Sequence, residues 1–118
     1  MEVRPRKVVF YEDENGNVPS ELWLESLSSE RAAAIIEGRI GRLRKGLFGD
    51  CESVGLGVME LKIHFGPGFR IYFGCWGDDI VVILMGGTKG SQARDIWQAR
   101  LYWVDYKKRR QSEDMKNG

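Results

Sequence analysis

Hydrophobic and polar residues alternate most clearly between Met59 and Phe73, which predicts two strands joined by a turn. The first strand would place Leu61 and Ile63 on one face and polar side chains on the other, because side chains alternate along a strand. The glycines and proline at residues 66–68 supply the turn. The polar face of this predicted hairpin gathers Lys62, His64, Arg70 and Tyr72. It is therefore a cationic surface that can also donate protons.

The segment before the hairpin predicts one strand and two helices. Residues 7–11 are β-branched and aromatic, as in a strand, and residues 19–27 predict a short amphipathic helix. A second helix is expected after the capping signal around Ser29. Its apolar stripe is Ile36, Ile40, Leu43 and Leu47. Residues 49–57 show little periodicity and predict a loop.

The segment after the hairpin predicts a central strand and a long helix. Residues 79–85 are apolar on both faces, so this strand should lie between the strand around Arg70 and the first strand. Residues 91–108 predict a helix with two apolar stripes, the second of which contains Trp97 and Leu101. Either this helix is buried over a wide arc or the second stripe faces a partner.

The predicted element order is β-α-α-β-β-β-α, which indicates a single α+β domain over residues 1–118. Its expected form has two layers, with the helices packed on one side of a mostly antiparallel four-stranded sheet. A chain of 118 residues with 42% hydrophobic residues can bury a core without disulfides or metals.

Charge and cysteine content narrow the function classes. The net charge is +1, so the chain as a whole gives no electrostatic indication of nucleic-acid binding. Cys51 and Cys75 fit no metal or disulfide pattern and are expected to be reduced thiols. Without an apolar run that could span a bilayer, a cytoplasmic protein is expected. We expect no metal and no cofactor.

The glycine-rich junction at residues 86–91 offers a candidate anion site. Glycines before a helix can expose backbone N–H groups to an anion, and Lys89 adds a positive charge. The spacing is not that of a P-loop, so nucleotide triphosphates are disfavoured. The alternative is a plain turn in which Ser91 caps the following helix.

Each candidate residue of the hairpin also has a structural interpretation. His64 could be an ordinary surface histidine, and Lys62 an exposed strand lysine. Arg70, in an aromatic strand, needs an anionic partner, which could be a ligand or an internal carboxylate of Glu60 or Asp95.

Three segments together resemble a known superfamily. They are residues 60–64 (ELKIH), 66–73 (GPGFRIYF) and 86–96 (GGTKGSQARDI). The chain resembles the RelE/ParE toxins, and more narrowly the addiction-module killer proteins of the HigB and phage-encoded branch. The resemblance extends to the tryptophans Trp23 and Trp103 and so covers nearly the whole chain.

This resemblance implies a RelE-like fold and the toxin of a type II toxin–antitoxin system. The implied activity is that of a metal-independent endoribonuclease, an mRNA interferase that cuts messages on the ribosome and so inhibits translation. The implied partners are a helix-turn-helix antitoxin, the ribosome and mRNA, with no membrane and no small-molecule cofactor. ParE toxins share the fold but inhibit DNA gyrase without catalysis, and that alternative stays open.

The resemblance also implies roles for individual residues. Arg70 matches the strand arginine that contacts the scissile phosphate, and Lys62 and Lys89 match basic positions of the site. His64 or Lys62 would be the general base, and Tyr72 the acid or a supporting hydrogen-bond donor. The residues expected to contact RNA or phosphate are Arg70, Lys89, Ser91, Gln92 and Arg94.

Overall fold

The computed structural model describes residues 2–117, which form five strands and three α-helices. In chain order these are β1 Lys7–Phe10, α1 Pro19–Ser26, α2 Glu30–Arg44, β2 Cys51–Ser53, β3 Val58–Ile63, β4 Phe69–Trp76, β5 Ile80–Thr88 and α3 Gln92–Asn117. A single 3₁₀ turn, Lys89–Ser91, connects β5 to α3. The α+β class is as predicted.

The strands form one mixed sheet in the order β1-β5-β4-β3-β2. β5 lies between β4 and β1, which confirms its predicted central position, and it runs parallel to β1. The expected four-stranded sheet is wrong, because β2 adds a fifth strand antiparallel to β3. β2 has only three residues, too few for a recognisable alternation, and it falls in the segment predicted to be a loop.

The helices lie on both faces of the sheet, so the expected two-layer arrangement is wrong. α2 buries Ile36 and Leu43 in a cluster with Ile71 of β4 on one face. α3 buries Trp103 with Tyr72 of β4 on the other face. Because β5 is apolar on both sides, each face needs a cover, and one helical layer cannot supply both.

The sequence predicted the start of α2 correctly but not the exposed face of α3. The Ser29 hydroxyl accepts a hydrogen bond from the Ala32 N–H at 3.1 Å, so the predicted cap is confirmed. In α3, Trp97 and Leu101 are 61% and 49% exposed, which shows that the wide buried arc is wrong. None of the helices within residues 2–117 is both long and apolar enough to cross a membrane.

Glycines of β5 allow the helices to approach the sheet closely. A Cβ on Gly86 would overlap the indole ring of Trp23 in α1. A Cβ on Gly87 would overlap the carboxylate of Asp95 in α3. The two glycines are therefore required for packing on opposite faces of the same strand.

Replacing Gly86 with alanine is expected to destabilise the fold by about 2 kcal/mol, because Trp23 must move to admit the methyl group. Gly38→Ala is the matched control, since Gly38 lies on exposed α2 surface and its added Cβ would have no neighbour within 4 Å apart from the adjoining backbone of its own helix. That control should stabilise the fold by up to about 1 kcal/mol. Urea unfolding measures both changes, and equal effects would contradict the packing role of Gly86.

Candidate functional site

An open pocket of ≈ 370 Å³ lies where the β3–β4 hairpin turns, next to the 3₁₀ turn that precedes α3. Its lining consists of His64, Phe65, Gly66, Pro67, Gly68, Arg70 and Lys89. The pocket therefore brings together three residues that the sequence singled out from separate segments: His64, Arg70 and Lys89.

Gly68 lies between the two cations of this pocket. The Lys89 backbone N–H donates to the Gly68 carbonyl oxygen at 2.8 Å, which ties the 3₁₀ turn to the hairpin. A Cβ on Gly68 would lie 3.5 Å from both Nη1 of Arg70 and Cβ of Lys89. Within residues 2–117 the exposed Lys89 has no ion-pair partner. Two neighbouring cations, of which only Arg70 has a carboxylate partner, favour binding of an anion.

The carboxylate partner of Arg70 is Glu60 of β3. Arg70 is 6% exposed, and its Nε lies 3.9 Å from Oε1 of the fully buried Glu60. Gln92 of α3 donates its amide to both Glu60 oxygens, at 3.1 and 2.9 Å. The internal salt bridge considered for Arg70 is thus confirmed with Glu60. Arg70 is therefore both paired with a buried carboxylate and part of the pocket lining.

The junction before α3 differs from the expected anion cradle. Gly86 and Gly87 pack against helices, and the Lys89 N–H is already donated to Gly68. The prediction that Gly86, Gly87 and the Lys89 N–H form an anion site is therefore wrong. Ser91 forms a capping box with Thr88, and its hydroxyl also donates to Asp95 at 2.5 Å.

Three residues expected to contact RNA therefore lie elsewhere or have other partners. The hydroxyl of Ser91 and the amide of Gln92 are committed to internal hydrogen bonds with Asp95 and Glu60. The Arg94 side chain is 83% exposed but is absent from the pocket lining. Of the five predicted contacts, only Arg70 and Lys89 face the pocket.

His64 has an orienting partner that the sequence did not reveal. Its side chain is 71% exposed, and Nε2 lies 2.6 Å from Oδ2 of Asp50. The hydrogen bond with His64 lowers the pKa of Asp50 below its ordinary value, so this carboxylate stays charged. Asp50 is a neighbour only because the chain before β3 folds back along it: the Lys62 N–H donates to the Asp50 carbonyl at 2.8 Å.

Lys62 lies directly opposite Arg70 in the β3–β4 register, which confirms that the two share a face. Its amine is drawn away from the pocket, however, and lies 2.6 Å from Oε1 of Glu52. The hydrogen bond with Glu52 raises the pKa of Lys62, so the amine stays protonated. A general-base role for Lys62 is therefore disfavoured.

Tyr72 shares this sheet face but is completely buried under α3. Burial, followed by the charge of Glu60, raises the pKa of its hydroxyl. The expectation that Tyr72 lies on the exposed surface is wrong, because the hairpin alternation could not show that α3 covers this end of the face. At this position Tyr72 cannot contact a substrate in the pocket.

Comparison with known proteins places the chain beside one bacterial relative. A protein of Haemophilus influenzae, described only as uncharacterized, is 46% identical over 79 residues, which are 67% of this chain and 80% of the relative. The chain belongs to the same family as this Haemophilus protein. No protein-family model matches the chain.

A third cation and an aromatic ring extend the pocket rim. The guanidinium of Arg31 in α2 lies 5.4 Å from the ring centre of Phe65, which itself lines the pocket. Sequence reasoning missed Arg31, since it belongs to a distant helix whose pattern reveals only the buried stripe. Flat cationic and aromatic surfaces of this kind can stack on a nucleobase.

The chemical capacity of the pocket follows from these contacts. Arg70 and Lys89 can bind a phosphate, and His64 can accept or donate a proton. Within residues 2–117, no three histidine, cysteine or carboxylate side chains are grouped to hold a metal ion.

Proposed function

We propose that the chain is a RelE-like toxin of a type II toxin–antitoxin pair, acting as an endoribonuclease on mRNA at the ribosome without a metal. One observation carries this proposal: His64, Arg70 and Lys89 line a single open pocket, with the two cations on either side of Gly68. Cationic groups that bind phosphate beside an imidazole supply two functions that phosphodiester cleavage through the ribose 2′-hydroxyl needs, charge stabilisation and a proton acceptor.

The proposed reaction uses the three side chains in order. Arg70 and Lys89 hold the scissile phosphate and stabilise the charge that grows on its oxygens. His64, oriented by Asp50, removes the proton from the 2′-hydroxyl as its oxygen bonds to phosphorus. The bond from phosphorus to the 5′-oxygen breaks, and Lys89 supplies a proton to the leaving oxygen. The products are a cyclic phosphate and a 5′-hydroxyl.

The shape and charge of the chain support a requirement for the ribosome. The pocket is open, and a net charge of +1 gives little general attraction for RNA. A second body that positions the message would supply the orientation that the pocket lacks. A cytoplasmic location and control by a helix-turn-helix antitoxin follow from the same proposal.

Induced synthesis of the chain is expected to arrest bacterial growth and to produce new 5′ ends on translated messages, detected by primer extension. His64→Ala is expected to reduce cleavage by about 10²-fold or more, the usual contribution of a general base. Because His64 is exposed, its removal should leave thermal unfolding unchanged.

Two outcomes would contradict the nuclease. Unaffected growth would remove the toxin proposal altogether. Arrest with intact messages and inhibited DNA supercoiling would instead favour a ParE-like gyrase inhibitor.

A further inference from the structure

Strand β1 forms the outer edge of the sheet, and its free side is open over a short, defined stretch. The N–H groups of Lys7 and Tyr11 donate toward the β5 side, to Asp79 and Ile83. Because backbone direction alternates along a strand, the N–H and C=O groups of Val8 and Phe10 point away from the sheet. Within residues 2–117, no strand pairs with that side. An open edge of this kind is a template for another strand.

Two shallow pockets flank this edge, one on each face of the sheet. The pocket on the α3 side, of ≈ 250 Å³, includes Val9 and Tyr106. The pocket on the other side, of ≈ 220 Å³, includes Leu24 and Ile40 of the first two helices. Phe10 belongs to both. Charged side chains line both pockets as well, among them Arg109 and Arg110 on the α3 side and Glu37 and Arg44 on the other. A strand added to β1 would thus find a recess of mixed apolar and charged lining on either of its faces.

Charge is distributed unevenly along the edge. The beginning of β1 is basic, with Arg6, Lys7 and the nearby Arg44, whose carbonyl accepts the Arg6 N–H at 2.8 Å. The chain directly after β1 is acidic, with Glu12, Asp13 and Glu14, and Arg109 of α3 donates to the Glu12 carbonyl at this end. A second strand that is also basic at its beginning and acidic after its end would complement this edge if it ran antiparallel to β1. Its acidic end would then lie beside the basic end of β1, and its basic end beside the acidic end. Strand β1 of a second copy has this order.

We propose that β1 pairs with β1 of a second copy, antiparallel and around a two-fold axis at Val9. In this register Val8 lies opposite Phe10 of the other copy, and Arg6 lies opposite Glu12. Val8 and Phe10 are the residues with outward backbone groups, so both exchange hydrogen bonds across the interface. The two sheets join into one continuous sheet.

Other registers pair the open backbone groups and the charged ends of β1 less well. Centring the pair on Val8 would place Arg6 opposite Phe10, although the Arg6 N–H is already donated to Arg44. A parallel arrangement would align like charges and would not close under two-fold symmetry. The Val9-centred register alone pairs both open residues with each other and both charged ends with their opposites.

Sedimentation of the full chain tests the association itself. A concentration-dependent dimer is expected, whereas a monomer at about 200 μM, where weak interfaces already associate, would overturn the proposal.

Cysteine cross-linking tests the register, in a Cys51→Ala/Cys75→Ala background that removes both native thiols. Val9→Cys should form a disulfide-linked dimer, because a non-hydrogen-bonded antiparallel pair has Cα atoms about 4.5 Å apart. Lys7→Cys is the matched control, since its two copies would lie about 13 Å apart. Equal cross-linking of the more exposed Lys7→Cys would indicate random collision and overturn this interface.

Charge reversal gives an independent test that leaves the strand intact. Glu12→Lys changes an exposed residue and places a lysine opposite Arg6 twice in each dimer, so we expect dimerisation to weaken about tenfold or more at low salt. Glu52→Lys makes the same charge change on β2 at the opposite edge of the sheet and should leave association unchanged. Equal weakening by both variants, or none by Glu12→Lys, would overturn the proposed pairing.

Discussion

Arg70→Ala is expected to lower message cleavage by about 10²-fold or more, because the proposed reaction uses the Arg70 guanidinium to hold the scissile phosphate. The structure adds a second expected consequence. Glu60 is fully buried and would lose its ion-pair partner, with Gln92 as its hydrogen-bond donor. An uncompensated buried carboxylate costs about 3–5 kcal/mol, so this variant should also unfold at a lower temperature. Primer extension measures cleavage, and thermal unfolding measures the cost to the fold.

A paired replacement separates the two consequences. Arg70→Met/Glu60→Gln removes both charges at similar volume, and neutral replacement of a buried pair is often nearly neutral for stability. The double variant should therefore regain most of its thermal stability while cleavage stays absent. Restored cleavage in this variant would show that Arg70 supports the fold only and does not contact the phosphate.

Lys89→Glu is expected to weaken association with the ribosome or RNA by about tenfold or more at low salt, since it places a carboxylate beside the proposed phosphate. Lys89→Ala should be intermediate, because it removes the charge without reversing it. Lys89 is exposed, so neither change should alter thermal unfolding. Ribosome cosedimentation compares the three proteins.

Salt and a charge-matched control identify the origin of this effect. The differences in ribosome or RNA binding between wild type, Lys89→Ala and Lys89→Glu should shrink as salt rises, because the Debye length falls to about 8 Å at physiological ionic strength. Lys108→Glu makes the same change at an exposed site far along α3 and should leave binding close to wild type. Equal loss of binding in Lys89→Glu and Lys108→Glu would indicate that binding responds to the net charge of the protein. Lys89 would then not belong to the site.

Local patterns predicted most of the strands and their neighbours. Alternation along β3 and β4 placed Lys62, Arg70 and Tyr72 on one face, and their register confirms it. The doubly apolar pattern of β5 predicted its central position. These predictions succeed because the pleat is a property of a few adjacent residues and does not depend on distant contacts.

The candidate site could be predicted only in part. His64, Arg70 and Lys89 were identifiable by residue type and by position beside turns, and they meet in one pocket. The fixed geometry of Arg70 depends on Gln92 of α3, which reaches Glu60 across 32 residues of chain. No periodicity could indicate that contact.

The sequence by itself determined the α+β class, the hairpin, the face that bears the cations and the central β5. Only the tertiary structure decided that α3 packs opposite α1 and α2, that Tyr72 is buried, and that Lys62 pairs with Glu52. It also left β1 as an open edge. The reason is physical: alternation sorts side chains to two faces within a strand, whereas the cover on each face depends on which distant elements bury the most apolar surface together.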